Sequence, residues 1–210
     1  MLCFYKTMAS TLADKLKRHV VVSTAQMVPL YPLLSTADMQ IAGHTPASSL
    51  CTHATSTAIT FLGLGYAYDS LRERSLAFFN ADRAHHSNGR TGIHDALYNG
   101  VSYALGAVPL YTGGAYMTGE APVSQKLAIS VGTAFVIGFS SGPLVGLSTD
   151  ILKDWCGVHP CERLHPVVRN RTPRQKKRLI TLALAASLGL SALNYIPALE
   201  NDTTSVHHTD

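Results

Sequence analysis

Charge is what this sequence has least of. Of 210 residues, only 14% are Asp, Glu, Lys or Arg, where a soluble domain carries about a quarter. Chemical signatures are missing as well. There is no Gly-x-Ser-x-Gly elbow, no Walker A loop and no helix with paired histidines, so the usual hydrolase and nucleotide-binding constellations are absent and no catalytic residue or cofactor is expected. The basic residues are dispersed and match no nucleic-acid-binding motif, which argues against a nucleic-acid partner. Cysteine is sparse: Cys3, Cys51, Cys156 and Cys161. The run Cys156-x-x-His159-x-Cys161 offers three ligands at a non-standard zinc spacing and lacks a fourth. It is expected to be a reduced loop, with no metal.

The hydrophobic content is an ordinary 46%, so the placement of charge decides the class. Five stretches contain no Lys, Arg, Asp or Glu: residues 19–37, 50–68, 96–118, 127–149 and 179–197. Each is close to the ~20 residues a helix needs to cross a hydrocarbon core. Of the 17 basic residues, 16 fall in the N-terminal segment and in the connections 69–95 and 150–178; Lys126 is the exception. The positive-inside rule then gives five spans, a cytoplasmic N-terminus and a C-terminus outside, in an inner or plasma membrane. The expected fold class is all-α, a polytopic membrane bundle. Residues 1–18 form a cytoplasmic lead, 19–155 a four-span core, 156–178 a basic cytoplasmic loop that anchors the topology, with binding of anionic membrane lipid as the alternative role, 179–197 a fifth span and 198–210 an acidic, disordered tail. The basic start and apolar run also resemble a signal peptide, but the run recurs later in the chain, so cleavage is not expected.

Recurrence is the second strong signal. Gly65-Tyr-Ala-Tyr-Asp69-Ser-Leu-Arg72 returns as Gly146-Leu-Ser-Thr-Asp150-Ile-Leu-Lys153. Val28-Pro29-Leu30-Tyr31 returns as Val108-Pro109-Leu110-Tyr111, and Asp14-x-Leu16 is echoed by Asp95-x-Leu97. The three matches keep their order at offsets of 80 and 81 residues. They predict a parallel repeat of a two-helix unit, spans one and two answering spans three and four.

The candidate site residues follow from this symmetry. Pro29 and Pro109 remove backbone donors at matching positions, beside Tyr31 and Tyr111. They either kink the helices for packing or break them to line a path. Gly138, Gly142 and Gly146 recur every fourth residue and form a close-packing face; span two matches it poorly, its only glycines being Gly63 and Gly65, two apart rather than four. This Gly-x-x-x-Gly face could meet another span or a second subunit. Asp69 and Asp150 close spans two and four, where the helix dipole disfavours an anion. Arg72 and Lys153, three positions on, can pair with them locally; alternatively the two carboxylates flank a path and bind a proton or an ammonium group. His53 is expected to be a packed or hydrated residue. Leu71, Leu76, Phe78 and Phe79 opposite Arg72 and Arg74 suggest a helix lying on the inner membrane surface.

These motifs resemble the bacterial L-alanine exporter family: Ala13-Asp14 before span one, Gly65-x-x-x-Asp69 at span two, Asp95-x-Leu97 and Pro109 around span three, and Gly142-x-x-x-Gly146-x-x-x-Asp150 closing span four. The resemblance covers residues 13–155. It implies a small inner-membrane exporter of L-alanine driven by the proton gradient. The longer connection at 80–94 and the fifth span depart from it. Two readings are carried forward. One is an exporter of small neutral amino acids acting as a homo-oligomer. The other is a non-transporting membrane scaffold or assembly factor.

Overall fold

The computed structural model describes residues 12–79, 88–119, 124–161 and 164–205. The amphipathic lead before residue 12, the turn around His85 and His86 and the last five residues lie outside them. Among the described residues the chain is all-helical, with no strand. The elements are α1 (Leu12–Gln40), α2 (Pro46–Ile59), a π-helical turn (Thr60–Leu64), α3 (Gly65–Phe78), α4 (Asn88–Met117), α5 (Ser124–Trp155), a short α6 (Pro166–Arg169) and α7 (Pro173–Ser205). Three of them are long and apolar enough to cross a membrane: Leu12–Gln40, Ser124–Trp155 and the part of α7 up to Ile196. The α2–α3 segment is broken into short pieces, and α4 is 30 residues long but carries too many polar groups to reach the same apolarity.

The burial pattern is inverted from that of a water-soluble globule. Asp38, Asp69, Arg72, Asp95, Asn99, Asp150 and Lys153 are all buried, whereas Phe61, Leu62, Val136, Phe139, Leu182 and Leu188 are exposed. Large exposed apolar surface marks a contact with something other than water, and polar groups hidden behind it find their partners inside the bundle. Both features are compatible with a membrane protein.

The helix breaks do not fall where the prolines predict. α1 continues through Pro29 and Pro32, and α4 through Pro109. The Pro32 carbonyl accepts from Thr36 Oγ1 at 2.7 Å and from Asn194 Nδ2 of α7 at 3.1 Å, so polar partners gather beside the irregularity. The interruption is at Gly63, in the π turn between α2 and α3, with φ +146°, a conformation that L side chains rarely adopt. α3 does not keep the expected division into an apolar and a basic side. Its Asp69, Arg72 and Leu76 face inward and are buried, while Leu71, Phe78 and Phe79 are exposed. The tail expectation changes as well, since α7 carries helix through Ser205.

The glycine row sets the tightest contact, between α4 and α5. A Cβ at Gly142 would stand 2.6 Å from Ala96 Cα, and one at Gly138 would stand 2.7 Å from the Asn99 carbonyl oxygen. At Gly146 it would collide with the Asp95 carboxylate. The face is therefore occupied by α4 of the same chain rather than left for a second subunit. Gly65 makes the matching approach in the first hairpin, against Ser23 of α1.

Candidate functional site

Each end of the bundle holds a buried polar cluster. At the end where α3 leaves the π turn, α1, α3, α4 and α5 converge on a charge network. Arg72 forks onto Asp95 of α4, with Nε donating to Oδ1 at 2.8 Å and Nη2 to Oδ2 at 2.6 Å. Its Nη1 lies 3.6 Å from Asp150 Oδ1 of α5. Lys153 of α5 donates to Asp69 and, at 3.1 Å, to Glu73. Arg18 of α1 donates to the same two carboxylates, at 2.6 Å to Asp69 and 2.7 Å to Glu73.

Local pairing of Asp69 with Arg72 and of Asp150 with Lys153 is thus replaced by an exchange. The acid of each copy of the recurring sequence motif meets the base of the other copy. The i to i+3 spacing allows the local pairs, but in the buried arrangement Asp69, Glu73, Arg18, Lys153 and Arg72 each meet two groups of opposite charge. Bidentate, charge-assisted bonds are the strong ones, and a buried charge left alone is costly. Glu73, the outermost member, shows the balance. Burial acts to raise its carboxyl, but Lys153 and Arg18 outweigh this and hold it down at about 2. Around the network, His94 places Nε2 2.8 Å from Ser75 Oγ and Nδ1 3.4 Å from Asp95 Oδ1. Asn99 donates to the Asp95 carbonyl at 2.7 Å and accepts from Tyr68 Oη.

At the opposite end Asp38 of α1 is buried. It accepts from Tyr111 Oη of α4 and, at 3.4 Å, from Ser49 Oγ of α2. His53 Nε2 lies 3.0 Å away. Tyr31 Oη donates to the His53 carbonyl at 3.0 Å, and the two rings meet edge to face.

A cavity of about 470 Å³ runs between the clusters, within the ~300–1,000 Å³ range of ligand pockets. Tyr31, His53 and Tyr111 line it at one end and Tyr68 at the other. Gln26 lines its wall; its amide nitrogen is buried and has no hydrogen-bond partner among the described residues. Burying such a group costs free energy unless something bonds to it.

The predicted residues are therefore divided. Tyr31 and Tyr111 share the cavity, although Pro29 and Pro109 do not break their helices. Asp69 and Asp150 sit in the charge network and do not line the cavity. Gly138, Gly142, Gly146 and Gly65 serve close packing. Sequence reasoning passed over Asp38, which falls one residue past the first uncharged stretch, and Gln26, an amide hidden inside that stretch. It also treated His53 as incidental. The run from Cys156 to Cys161 supplies no ligand set; no group of three His, Cys, Asp or Glu side chains suited to a metal occurs among the described residues.

Comparison with known proteins adds no relative to this geometry: no family model, no curated protein and no solved structure matches the chain.

Proposed function

We propose that the chain is a multi-pass membrane exporter of L-alanine or similar small neutral amino acids, driven by a proton gradient. The observation that carries this reading is the cavity between two buried polar clusters, with the unpartnered Gln26 amide on its wall. A small polar solute inside it would supply the bond that Gln26 lacks. The choice of alanine rests on the resemblance alone. In this reading five segments cross the membrane, the second running from α2 into the start of α3 and the third being α4, with polar side chains such as Ser49, Thr52, Thr60 and Asn99 turned into the bundle. The basic residues face the cytoplasm, and the charge network is the inner gate. Asp69 and Asp150 are the gate charges, and their exchanged pairs must part for the cavity to open inward. Homo-oligomerisation uses a surface other than the glycine row, such as exposed α7.

The scaffold alternative draws on one observation, that Asp69, Asp95 and Asp150 are each paired with a cation and form a static joint. Flux separates the two. Labelled L-alanine is measured in proteoliposomes with and without a pH gradient, beside glycine, serine and D-alanine. The exporter reading expects selective, gradient-sensitive flux that is lost in the Asp69→Asn/Asp150→Asn double variant. No flux above empty liposomes from folded protein would leave the scaffold.

A further inference from the structure

The two polar clusters differ in what neutralises their carboxylates. Asp69 has Arg18 and Lys153, and Asp95 and Asp150 have Arg72. The guanidiniums of Arg18 and Arg72 stay charged under ordinary conditions, and each of the three carboxylates has one of them beside it. Asp38 is different. Among the described residues no lysine or arginine pairs with it; its side-chain partners are Tyr111, Ser49 and His53. Of these His53 is the one basic side chain, an imidazole that can carry a proton.

We infer that Asp38 and His53 together form the proton-carrying site of the exporter, and that the charge network is a gate without a transported proton. The inference rests on the transport reading above. It assigns that reading's coupling ion to a place the repeat motifs do not mark.

The geometry gives the pair a route and a reason. His53 lines the cavity and holds Nε2 3.0 Å from Asp38 Oδ2, so the imidazole stands between cavity and carboxylate. A proton taken up by the ring leaves an imidazolium facing a carboxylate, a neutral pair. Its release leaves a neutral ring beside the carboxylate and restores one negative charge. Only N–H bonds form and break. The groups packed around the pair are two tyrosines, a serine and a second histidine, His44. Tyr111 comes from α4. His44, on the α1–α2 connection, stacks on the Tyr111 ring at 5.0 Å and has Nε2 2.8 Å from Ser130 Oγ of α5. Tyr195 of α7 reaches Ser49 Oγ at 3.2 Å. Asp38 ends the first span, which the proposed orientation places on the outer side, where protons arrive to drive export. Tyr111 bridges the carboxylate and the cavity, so the charge on the pair is felt where a substrate would sit.

Two measurements test this. In proteoliposomes, gradient-driven alanine flux is expected to fall at least about tenfold in Asp38→Asn and in His53→Gln. Residual flux in both variants should lose the pH dependence that the wild type shows. A wild-type pH profile in Asp38→Asn would overturn the proposal and leave the exporter reading standing. Absence of flux in the wild type would instead sink the exporter reading. The second measurement does not depend on transport. In purified, histidine-labelled protein, the His53 ring signal, assigned by its loss in His53→Gln, is followed by NMR against pH. Removal of the facing carboxylate in Asp38→Asn should move its titration to lower pH, while Asp69→Asn should leave it in place. No movement in a folded Asp38→Asn would overturn the pairing.

Discussion

In the second hairpin, α4 and α5 lie so close that Gly138 and Gly142 have backbone where a Cβ would go. In the first hairpin, α1 meets a partner interrupted at Gly63, and the cavity opens between that hairpin and α4. Motifs shared at a fixed offset thus support one half that is tightly packed and one that is open. Asp95 makes the same point: it is buried under Arg72, while its repeat counterpart Asp14 is exposed. A recurring sequence motif does not impose the same packing on both of its occurrences.

The comparison can be broken most severely at the joint between the halves. Arg72→Ala removes the guanidinium shared by Asp95 and Asp150 and is expected to cost about 3–5 kcal/mol, the usual penalty for stranding buried charges. Thermal unfolding in detergent checks it, and a loss within experimental error would mean that the network contributes little. Next, Gly142→Ala should cost about 1–3 kcal/mol through backbone overlap. Gly106→Ala, which has open space around it, should be neutral or slightly stabilising in the same assay. Equal effects at the two sites would dissolve the claim that the second hairpin is the tight one. Gly63→Ala should cost about 1 kcal/mol, because nothing crowds the site and only its positive φ is penalised. If Gly63→Ala instead raised stability, the break would be a defect of the first hairpin rather than a built feature.

The smallest effect is in acid. Glu73 is held at about 2 by its two cations against an ordinary value of 4.5. Its contribution is therefore complete above the ordinary value and is lost as pH falls from there towards about 2, since only the unfolded chain takes up the proton across that window. Glu73→Gln should flatten this part of the acid-stability curve and leave the neutral range lower but level.

Helix positions were legible in the sequence because charge-free runs and helix length obey the same physics. The glycine spacing announced a close contact, and the repeat pointed to Asp69 and Asp150. Their partners were not legible. Sequence proximity favours Arg72 for Asp69, and nothing local reveals that Arg72 turns away to Asp95 and Asp150. The same limit hid the cavity site. Asp38 and His53 are 15 residues apart in different helices, and Gln26 looks like one more tolerated polar residue until its neighbours are known. Pro29 and Pro109 misled in the other direction. A missing N–H weakens a helix, but nearby hydroxyl and amide groups let the chain continue, and a glycine without any motif supplied the break.

The exchange of partners also bears on how the chain is made. Arg18 can serve Asp69 while only the first hairpin has left the ribosome, so that acid can be compensated before the second hairpin is made. The second hairpin has no such freedom, because the guanidinium that Asp95 and Asp150 share belongs to α3. The half synthesised later is the one that depends on a partner already in place, and the order of translation delivers that partner first.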